Sequence, residues 1–513
     1  MSPVAAILHR ISTRALEWRA GRAGDAAAAL LGLLAVFAFA PFGCYPLAVL
    51  ALAGLAWLIA PLGWRRAAWR GFLFGAGEFL SGVYWLYISL HGMGGVPPLA
   101  AGFMLLALVA IMALYSAGAC ALAAAWAPAG PLRLWLLLPA AWTFLEWLRG
   151  WFLSGFPWLT LGYSQVDSPL AGYAPYLGGF GVSFAVVLSA GLLLTAIGAG
   201  NWRRSAPPVA ALLALWSAGW GLGQLRWTHP AGPPLSVSLI QGDVPQDQKW
   251  EPAAFIPTLK LYRHLTDANW GRGLIVWPEA AVPAYQDEVQ FDFLDPLEAD
   301  ARGHGTDILL GVPTYDGENY YNSVISLGQS DGTYNKRHLV PFGEDFEFLP
   351  RWVKSLLRDM DLPYSSFSPG AARQKLLVAA GYPVGTSICY EDAYGDEIMR
   401  ALPEAAFLVN VSNDGWFGDS IALPQHLEIA RMRAIETGRW LLRATNTGIT
   451  AIVDDAGQVR AAAPTGQVYV LQGEIQPLAG ATPVSRWGNG LAAGLTLLAL
   501  LALGWRARRR AAA

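Results

Sequence analysis

The chain has few charged residues and few cysteines. Only 14% of its 513 residues are charged and 54% are hydrophobic, whereas about 25% charged residues is typical of soluble domains. Its three cysteines are too few and too scattered for a disulfide framework or a zinc site. We expect Cys44 and Cys120, which lie in apolar stretches, to be small buried hydrophobic residues. The composition favours a membrane protein, and nothing in it implies a metal or an organic cofactor.

Lysine is absent from both ends of the chain. Residues 1–225 and 486–513 contain 16 Arg, no Lys and 5 acidic residues, whereas residues 226–485 contain 19 basic and 32 acidic residues. The acidic middle segment has no basic patch, which argues against a nucleic-acid partner. The basic N-terminus lacks a short apolar core followed by a small-residue cleavage site. We therefore predict a cytoplasmic tail before a retained membrane span rather than a cleaved signal peptide.

Long apolar runs predict eight membrane-spanning helices. A helix needs about 20 mostly apolar residues to cross a bilayer. The predicted spans lie near residues 26–42, 46–62, 70–90, 97–127, 133–150, 170–198, 207–225 and 487–504. Glu78 and Glu146 fall inside these spans, where a carboxylate is costly and usually faces the bundle interior or water. They are candidates for buried pairs, with Arg149 as a partner, or for a functional role.

The distribution of arginine predicts the orientation of the spans, because cytoplasmic loops collect basic residues. With the N-terminus inside, the arginine clusters near residues 10–22, 65–70, 133, 203–204 and 506–510 all fall on the cytoplasmic side. The short loops on the other side contain no Arg or Lys. The middle segment follows the seventh span and therefore lies outside the cytoplasm. We predict a membrane bundle over 1–225, an extracytoplasmic domain over 226–485, and a final span with a basic cytoplasmic tail over 486–513.

The middle segment alternates short β-type runs with polar helical stretches, a pattern typical of an α/β domain with a largely buried sheet. The predicted strands are 235–241, 274–277, 307–313, 323–327, 375–384 and 406–411. The predicted helices are 252–270, 288–303 and 424–442. Two later stretches, 448–454 and 467–475, are predicted to form a closing hairpin that turns at 455–457.

Three reactive groups lie at the ends of predicted strands: Glu279 in L-I-V-W-P-E, Lys336 in Y-N-K-R-H, and Cys389 in G-T-S-I-C-Y-E-D. Such positions gather at the carboxyl edge of an α/β sheet, where sites form. A thiol needs a base to take its proton and a cation to favour the thiolate. Taken singly, the three residues could be a helix cap, a surface charge and a buried filler. Their ordered combination is far more specific.

These motifs, followed by V-N-V-S-N-D-G-W-F-G at 409–418, resemble those of the nitrilase, or carbon–nitrogen hydrolase, superfamily. With eight predicted spans around the domain, the chain resembles the apolipoprotein N-acyltransferase family of bacterial inner membranes. The resemblance covers essentially the whole chain and implies a four-layer α-β-β-α domain in the periplasm. It also implies that Glu279 is the general base, Lys336 the lysine that stabilises the oxyanion, and Cys389 the nucleophile.

The same resemblance points to residues that surround the substrate. Glu344, Tyr390 and Glu391 match positions that the family needs around its site. Trp250, in Q-D-Q-K-W, aligns more loosely with an essential tryptophan. Trp416 is predicted either to exclude water from the site as a lid or to serve local packing.

The segment 342–349 with Trp352 carries the same two alternatives, a lid or local packing. Two histidines near the motifs have a different interpretation. The Glu–Lys–Cys order favours a structural role for His338 over a Cys–His pair, and we expect His426 to form hydrogen bonds from the face of its helix.

The resemblance implies a transferase with two lipid substrates. Cys389 would take an acyl chain from a phospholipid as a thioester, and the α-amine of a diacylglyceryl-cysteine at an apolipoprotein N-terminus would then receive it. This would be the last step of lipoprotein maturation. A membrane-tethered amide hydrolase with the same triad is the first alternative, which the catalytic residues alone do not decide. A non-enzymatic transporter or lipid-binding scaffold is the second, and the intact triad argues against it.

Overall fold

A computed structural model describes residues 18–19, 21–340, 343–344 and 367–512. Most of the predicted basic N-terminal tail lies outside these residues. The described chain forms two compact units. The first combines the residues up to Tyr84 with Gly102–Leu225 and the residues from Asn489 onward. The second combines Trp85–Ala101 with Arg226–Gly488.

The longer helices follow the apolar runs in the first unit and the amphipathic stretches in the second. They are α1 (Arg22–Ala35), α2 (Pro46–Ile59), α3 (Trp64–Gly82), α4 (Pro98–Trp126), α5 (Leu138–Arg149), α6 (Ala174–Gly198), α7 (Trp202–Gly223), α8 (Pro252–Asp267), α9 (Asp295–His304), α10 (Ala422–Thr437) and α11 (Gly490–Ala512). Several of them begin with proline in the first turn, where its missing N–H costs nothing.

Three helical stretches among the described residues are long and apolar enough to cross a membrane. They are Pro98–Trp126, Pro169–Gly198 and Gly490–Arg509, with mean hydropathies of 2.3, 2.2 and 1.6. Pro46–Ile59 is a shorter apolar helix. The chain therefore has the apolar helices of a membrane protein, while the count of eight spans stays a prediction.

Two buried arginines of the first unit pair with carboxylates. Arg70 donates to a carboxylate oxygen of Asp25 at 3.0 Å, and Arg149 lies 3.7 Å from the carboxylate of Glu146. The predicted pairing of Glu146 with Arg149 is thus confirmed, and Glu78 lines the same small cavity as these two residues.

The cysteines of the first unit differ in their surroundings. Cys120 is buried, but Cys44 is exposed, so the expectation that Cys44 is buried was wrong. Cys44 lies in the turn that precedes α2 rather than within a helix, and its side chain is therefore not enclosed by neighbouring helices.

The second unit contains fourteen described strands. They are β1 (Thr228–Pro230), β2 (Leu235–Gln241), β3 (Leu274–Val276), β4 (Asp307–Tyr315), β5 (Tyr320–Leu327), β6 (Gly332–Asn335), β7 (Leu377–Ala379), β8 (Tyr382–Ile388), β9 (Phe407–Ser412), β10 (Leu441–Thr445), β11 (Ala451–Val453), β12 (Val459–Ala462), β13 (Tyr469–Ile475) and β14 (Leu478–Gly480). One six-stranded sheet has the order β13-β2-β3-β4-β5-β6, and the other has the order β12-β11-β10-β9-β8-β7. The pairs β2–β3, β3–β4, β8–β9 and β9–β10 are parallel.

The two sheets pack face to face with helices on their outer faces. Along β3, Leu274 and Val276 face the core between the sheets, and Ile275 faces the helices α8 and α9. On β9, Val409 faces the inter-sheet core and Leu408 faces α10. This alternation follows from the two-residue period of a strand, and both faces are apolar because both are covered. The second unit is the predicted four-layer α-β-β-α domain.

The predicted closing hairpin was wrong in one of its strands. The turn at 455–457 is correct, but it joins β11 to β12. β13 instead pairs antiparallel with β2 in the other sheet. The error arises because alternation predicts a half-buried strand without identifying its partner. Similarly, the predicted strand 375–384 is the hairpin β7–β8, which turns at Gly381 with φ of +79°.

Helix α3 ends at Gly82, before the predicted end of the third span at residue 90. From Trp85 to Ala101 the chain belongs to the second unit. There the buried Trp85 donates from its indole N–H to the side-chain oxygen of Gln425 at 3.2 Å and packs edge-on against Phe417, with ring centroids 4.8 Å apart. A stretch that is apolar enough for a membrane span is therefore used as packing for the α-β-β-α domain.

Candidate active site

Glu279 lies just beyond the carboxyl end of β3. Pro278 cannot donate to a strand ladder, so the strand ends and the following carboxylate projects from the sheet edge. Glu279 is 8% exposed, and the next residue, Ala280, has φ of +45°. A left-handed conformation is unfavourable for alanine, so the surrounding contacts hold this turn in place.

Lys336 follows β6 and is almost fully buried. Its ammonium lies 3.2 Å from Oε1 of Glu279 and 2.9 Å from Oε1 of Glu344. Burial alone would lower the pKa of Lys336, but the two carboxylates outweigh it and raise the pKa above its usual value. Lys336 is therefore a permanent cation between two carboxylates, and its charge also acts on Cys389.

Asn322 on β5 links the same two carboxylates. Its side-chain amide donates to Oε1 of Glu279 at 2.8 Å and to Oε1 of Glu344 at 3.0 Å. Its main-chain carbonyl oxygen accepts from the main-chain N–H of Lys336 at 2.7 Å. The sequence motifs did not identify this residue. The available signal was the polar pair Asn322-Ser323, which precedes the apolar run of this buried strand.

Cys389 begins a short helical turn directly after β8, with φ of +51°. Such a conformation is uncommon for residues other than glycine and costs on the order of 1–3 kcal/mol. Cys389 is 6% exposed. Burial, followed by the charge of Glu279, raises the pKa of Cys389, while Lys336 opposes this change. The resting nucleophile is therefore a protonated thiol that needs a base.

Glu391 connects the turn Cys389–Ala393, which we call the nucleophile turn, to residues 336–338, which we call the lysine segment. Its carboxylate accepts hydrogen bonds from the backbone N–H groups of Ile388 at 2.7 Å, Arg337 at 2.6 Å and His338 at 3.1 Å. Burial raises the pKa of Glu391 to about 7, although these hydrogen bonds oppose the change. Glu391, whose position the sequence predicted to lie around the site, thus joins the residues flanking Cys389 to those flanking Lys336.

A buried charge network lies behind the nucleophile. His426 on α10 contacts Oδ1 of Asp392 at 3.0 Å and Oδ1 of Asp414 at 2.9 Å, and Arg443 on β10 contacts the other oxygens of both carboxylates. Burial and Arg443 lower the pKa of His426, but the two carboxylates raise it to about 9. His426 also lies 3.3 Å from the carbonyl oxygen of Cys389. The predicted hydrogen-bonding role of His426 is confirmed, and the network supports the nucleophile turn.

The remaining predicted residues have different environments. Tyr390 packs edge-on against Tyr394, whose ring stacks on the imidazole of His338. Trp250 and Trp416 are 53% and 39% exposed. Their proposed roles toward substrate stay predictions, as does the structural role of His338. Trp352 and the predicted lid 342–349, apart from residues 343–344, lie outside the described residues.

The sequence of the chain matches two family models. Residues 236–483 match the Carbon-nitrogen hydrolase model, and residues 31–192 match the model of the Apolipoprotein N-acyltransferase N-terminal domain. A crystal structure of a CN-hydrolase superfamily protein from Xanthomonas campestris aligns with a TM-score of 0.36 and 18% identity, covering 48% of this chain and 91% of that one.

Curated bacterial relatives match over most of the chain. An apolipoprotein N-acyltransferase of Methylococcus capsulatus is 48% identical over 87% of this chain and 88% of its own length. Those of Nitrosomonas europaea and Pseudomonas putida are 43% and 41% identical, over 89% and 90% of this chain and 92% of their own lengths.

Two packed sheets, with a Glu, a Lys and a Cys at strand ends over the matched residues, define an enzyme of the carbon–nitrogen hydrolase class. The long matches specify the group within that class. The chain belongs to the apolipoprotein N-acyltransferase family, and it is an acyltransferase.

Proposed function

We propose that this enzyme transfers an acyl chain from a phospholipid to the α-amine of the N-terminal diacylglyceryl-cysteine of apolipoproteins. The observation that carries the proposal is the buried contact of Lys336 with Glu279, with both charges acting on the Cys389 thiol. This arrangement supplies a base, a cation and a nucleophile in one enclosed place. Burial matters because water would otherwise compete with the amine for an acyl-enzyme.

In the first half-reaction, the Cys389 sulfur attacks the ester carbonyl of the phospholipid. The thiol proton passes to Glu279, a C–S bond forms, and the carbonyl oxygen becomes an oxyanion beside Lys336 and a backbone N–H near Cys389. Collapse breaks the C–O bond, and Glu279 returns its proton to the departing alcohol. The products are a thioester on Cys389 and a lysophospholipid, as expected for covalent catalysis.

In the second half-reaction, the amine of the apolipoprotein attacks the thioester carbonyl. Glu279 removes a proton from the amine, a C–N bond forms, and the C–S bond breaks with the thiolate as leaving group. Glu279 then reprotonates the thiolate, which restores the resting thiol. A single carboxylate can serve both halves because it ends each half in the protonation state that the next one needs.

The proposal includes the arrangement in the membrane. Seven spans over 1–225 and a final span over 486–513 would hold the catalytic domain, residues 226–485, on the periplasmic side of the bacterial inner membrane, with both termini in the cytoplasm. The distribution of arginine supports this orientation. Both substrates are membrane lipids, so a domain attached to the bilayer at both ends would meet them at its surface. Trp250, Glu344, Tyr390, Glu391 and Trp416 are proposed to surround the substrates.

The test uses the full-length protein in detergent with a phospholipid that carries a labelled sn-1 acyl chain. Mass spectrometry should find the label on Cys389, and a diacylated lipopeptide added afterwards should carry the label on its amine. Cys389→Ala should take up no label, whereas Cys44→Ala, a matched change at an exposed cysteine, should behave as the unchanged protein. Release of the label as free fatty acid, with none on the peptide, would instead indicate the hydrolase. Absence of an adduct on Cys389 would contradict both enzymes.

A further inference from the structure

Lys249 is a second buried lysine beside the candidate active site. It lies in the turn after β2, where its N–H donates to the carbonyl oxygen of Pro245 at 3.0 Å, and it is 2% exposed. Its ammonium donates to the main-chain carbonyl oxygen of Glu279 at 3.0 Å. A lysine is almost never fully buried unless it is paired, and this one therefore calls for an explanation.

The contact holds a strained part of the site. The Glu279 carbonyl belongs to the peptide unit that leads into Ala280, whose φ of +45° is unfavourable. A hydrogen bond from a charged donor is roughly twice as strong as one from a neutral donor. Lys249 thus fixes the main chain from which the Glu279 carboxylate projects, while Lys336 and Asn322 hold the carboxylate itself.

Charge balance gives Lys249 a second effect. The carboxylates of Glu279 and Glu344 surround a single ammonium, that of Lys336. When the Cys389 thiol ionises or an oxyanion forms, one more negative charge is added to this enclosed region. Burial lowers the pKa of Lys249 to about 8, while the charges of Glu279 and Cys389 oppose that change. Lys249 is therefore mostly protonated at pH 7, and its charge acts on both groups.

The other titratable groups around Lys249 do not replace this charge. Asp247 and Glu251 lie on the same turn, but both are exposed and negative. Water screens charges at such positions strongly. The buried groups that act on the Lys249 ammonium are Glu279 and Cys389.

We propose that Lys249 is a positioning residue of the acyl-transfer site: it fixes the Glu279 main chain and supplies the second cation that favours the Cys389 thiolate. The proposal rests on the proposed function, because it assigns Lys249 to the activation of the same nucleophile. It differs from the role of Lys336, whose ammonium contacts the carboxylates directly.

The experiment measures how fast iodoacetamide alkylates Cys389 in the full-length protein between pH 6 and 10. Mass spectrometry of the peptide containing Cys389 separates its reaction from those of Cys44 and Cys120. Lys249→Met removes the charge and the hydrogen bond, Lys249→Gln removes the charge but keeps a donor, and Lys249→Arg keeps both. Lys260→Met, a matched change at an exposed position on α8, is the control.

Lys249→Met and Lys249→Gln should lower the alkylation rate at pH 7 about tenfold, which corresponds to a shift of the profile by roughly one pH unit. The difference from the unchanged protein should narrow above pH 8, where Lys249 itself loses its charge. Lys249→Arg should restore most of the rate, and Lys260→Met should leave it unchanged. A Gln variant whose profile matches that of the unchanged protein would overturn the electrostatic role, even if its melting temperature falls. Formation of the labelled thioester by the unchanged protein is scored separately. Its absence would contradict the proposed function, whereas an unshifted profile would contradict only the role of Lys249.

Discussion

Replacing Glu391 by Gln tests whether the link between the nucleophile turn and the lysine segment matters for catalysis. The two carboxylate oxygens accept from three backbone N–H groups on two segments of the chain, those of Ile388, Arg337 and His338. A glutamine side chain has one acceptor oxygen and one NH₂ group. Whichever way the amide turns, its NH₂ faces at least one of these N–H donors.

The hydrogen bonds of Glu391 set the expected loss of stability and of acylation rate in this variant. Leaving one buried donor unsatisfied costs about 1–3 kcal/mol. In a domain of this size, 1 kcal/mol lowers the melting temperature by roughly 2–4 °C, so Glu391→Gln should melt about 2–12 °C lower. The loss should also loosen the position of Cys389 relative to Lys336. Since a displacement of about 1 Å can reduce a rate 100-fold, we expect acylation of Cys389 to slow by roughly 10- to 100-fold.

The assay combines thermal unfolding in detergent with the initial rate of Cys389 acylation by labelled phospholipid, measured well below the melting temperature. Glu404→Gln is the matched control, because Glu404 is exposed in the loop before β9. It should change neither quantity. If Glu391→Gln melts and acylates like the unchanged protein, Glu391 does not hold the two segments together.

Three further predictions concern charge, pH and water. Lys336→Met removes the ammonium that lies between the carboxylates of Glu279 and Glu344. The free energy of unfolding should therefore fall by about 3–5 kcal/mol, and thioester formation should slow at least about 100-fold. A variant with normal melting and acylation would contradict this prediction. Because the folded-state pKa of His426 is raised to about 9, its stabilisation is complete below pH 6.5 and is lost as the pH rises through 9. The stability difference between the unchanged protein and His426→Gln should therefore narrow over this range by about 3 kcal/mol in denaturant titrations, and a constant difference would refute it. Trp416→Ala should raise the release of labelled fatty acid from the thioester if Trp416 excludes water, and unchanged hydrolysis would remove that role.

Local sequence patterns predicted much of the architecture. The apolar runs over 97–127, 170–198 and 487–504 correspond to the three helical stretches long enough to cross a membrane. The predicted strand 235–241 has the bounds of β2. These features depend on short-range properties, namely the length of an apolar run and the alternation of side chains along a strand.

Pairing between distant segments could not be predicted in the same way. The alternation in β13 identified a half-buried strand, but its assignment to the sheet of β2 depends on the packing of the whole domain. The end of α3 at Gly82 could not be predicted either. The apolar run continues to residue 90 and suggested a longer span, but Trp85 within this run packs against Phe417 instead.

The sequence by itself determined the identity and order of Glu279, Lys336 and Cys389, because each stands in a short motif at the end of a strand. Only the tertiary structure decided what surrounds them. Lys249 reaches the carbonyl of a residue 30 positions away, and Glu391 accepts from the N–H of Arg337, 54 positions away. Such hydrogen bonds leave no periodic trace in the sequence. Lys249 and Glu279 follow neighbouring strands of one sheet, whereas Glu391 and Arg337 follow strands of different sheets, so both contacts depend on how strands that are distant in the sequence are arranged.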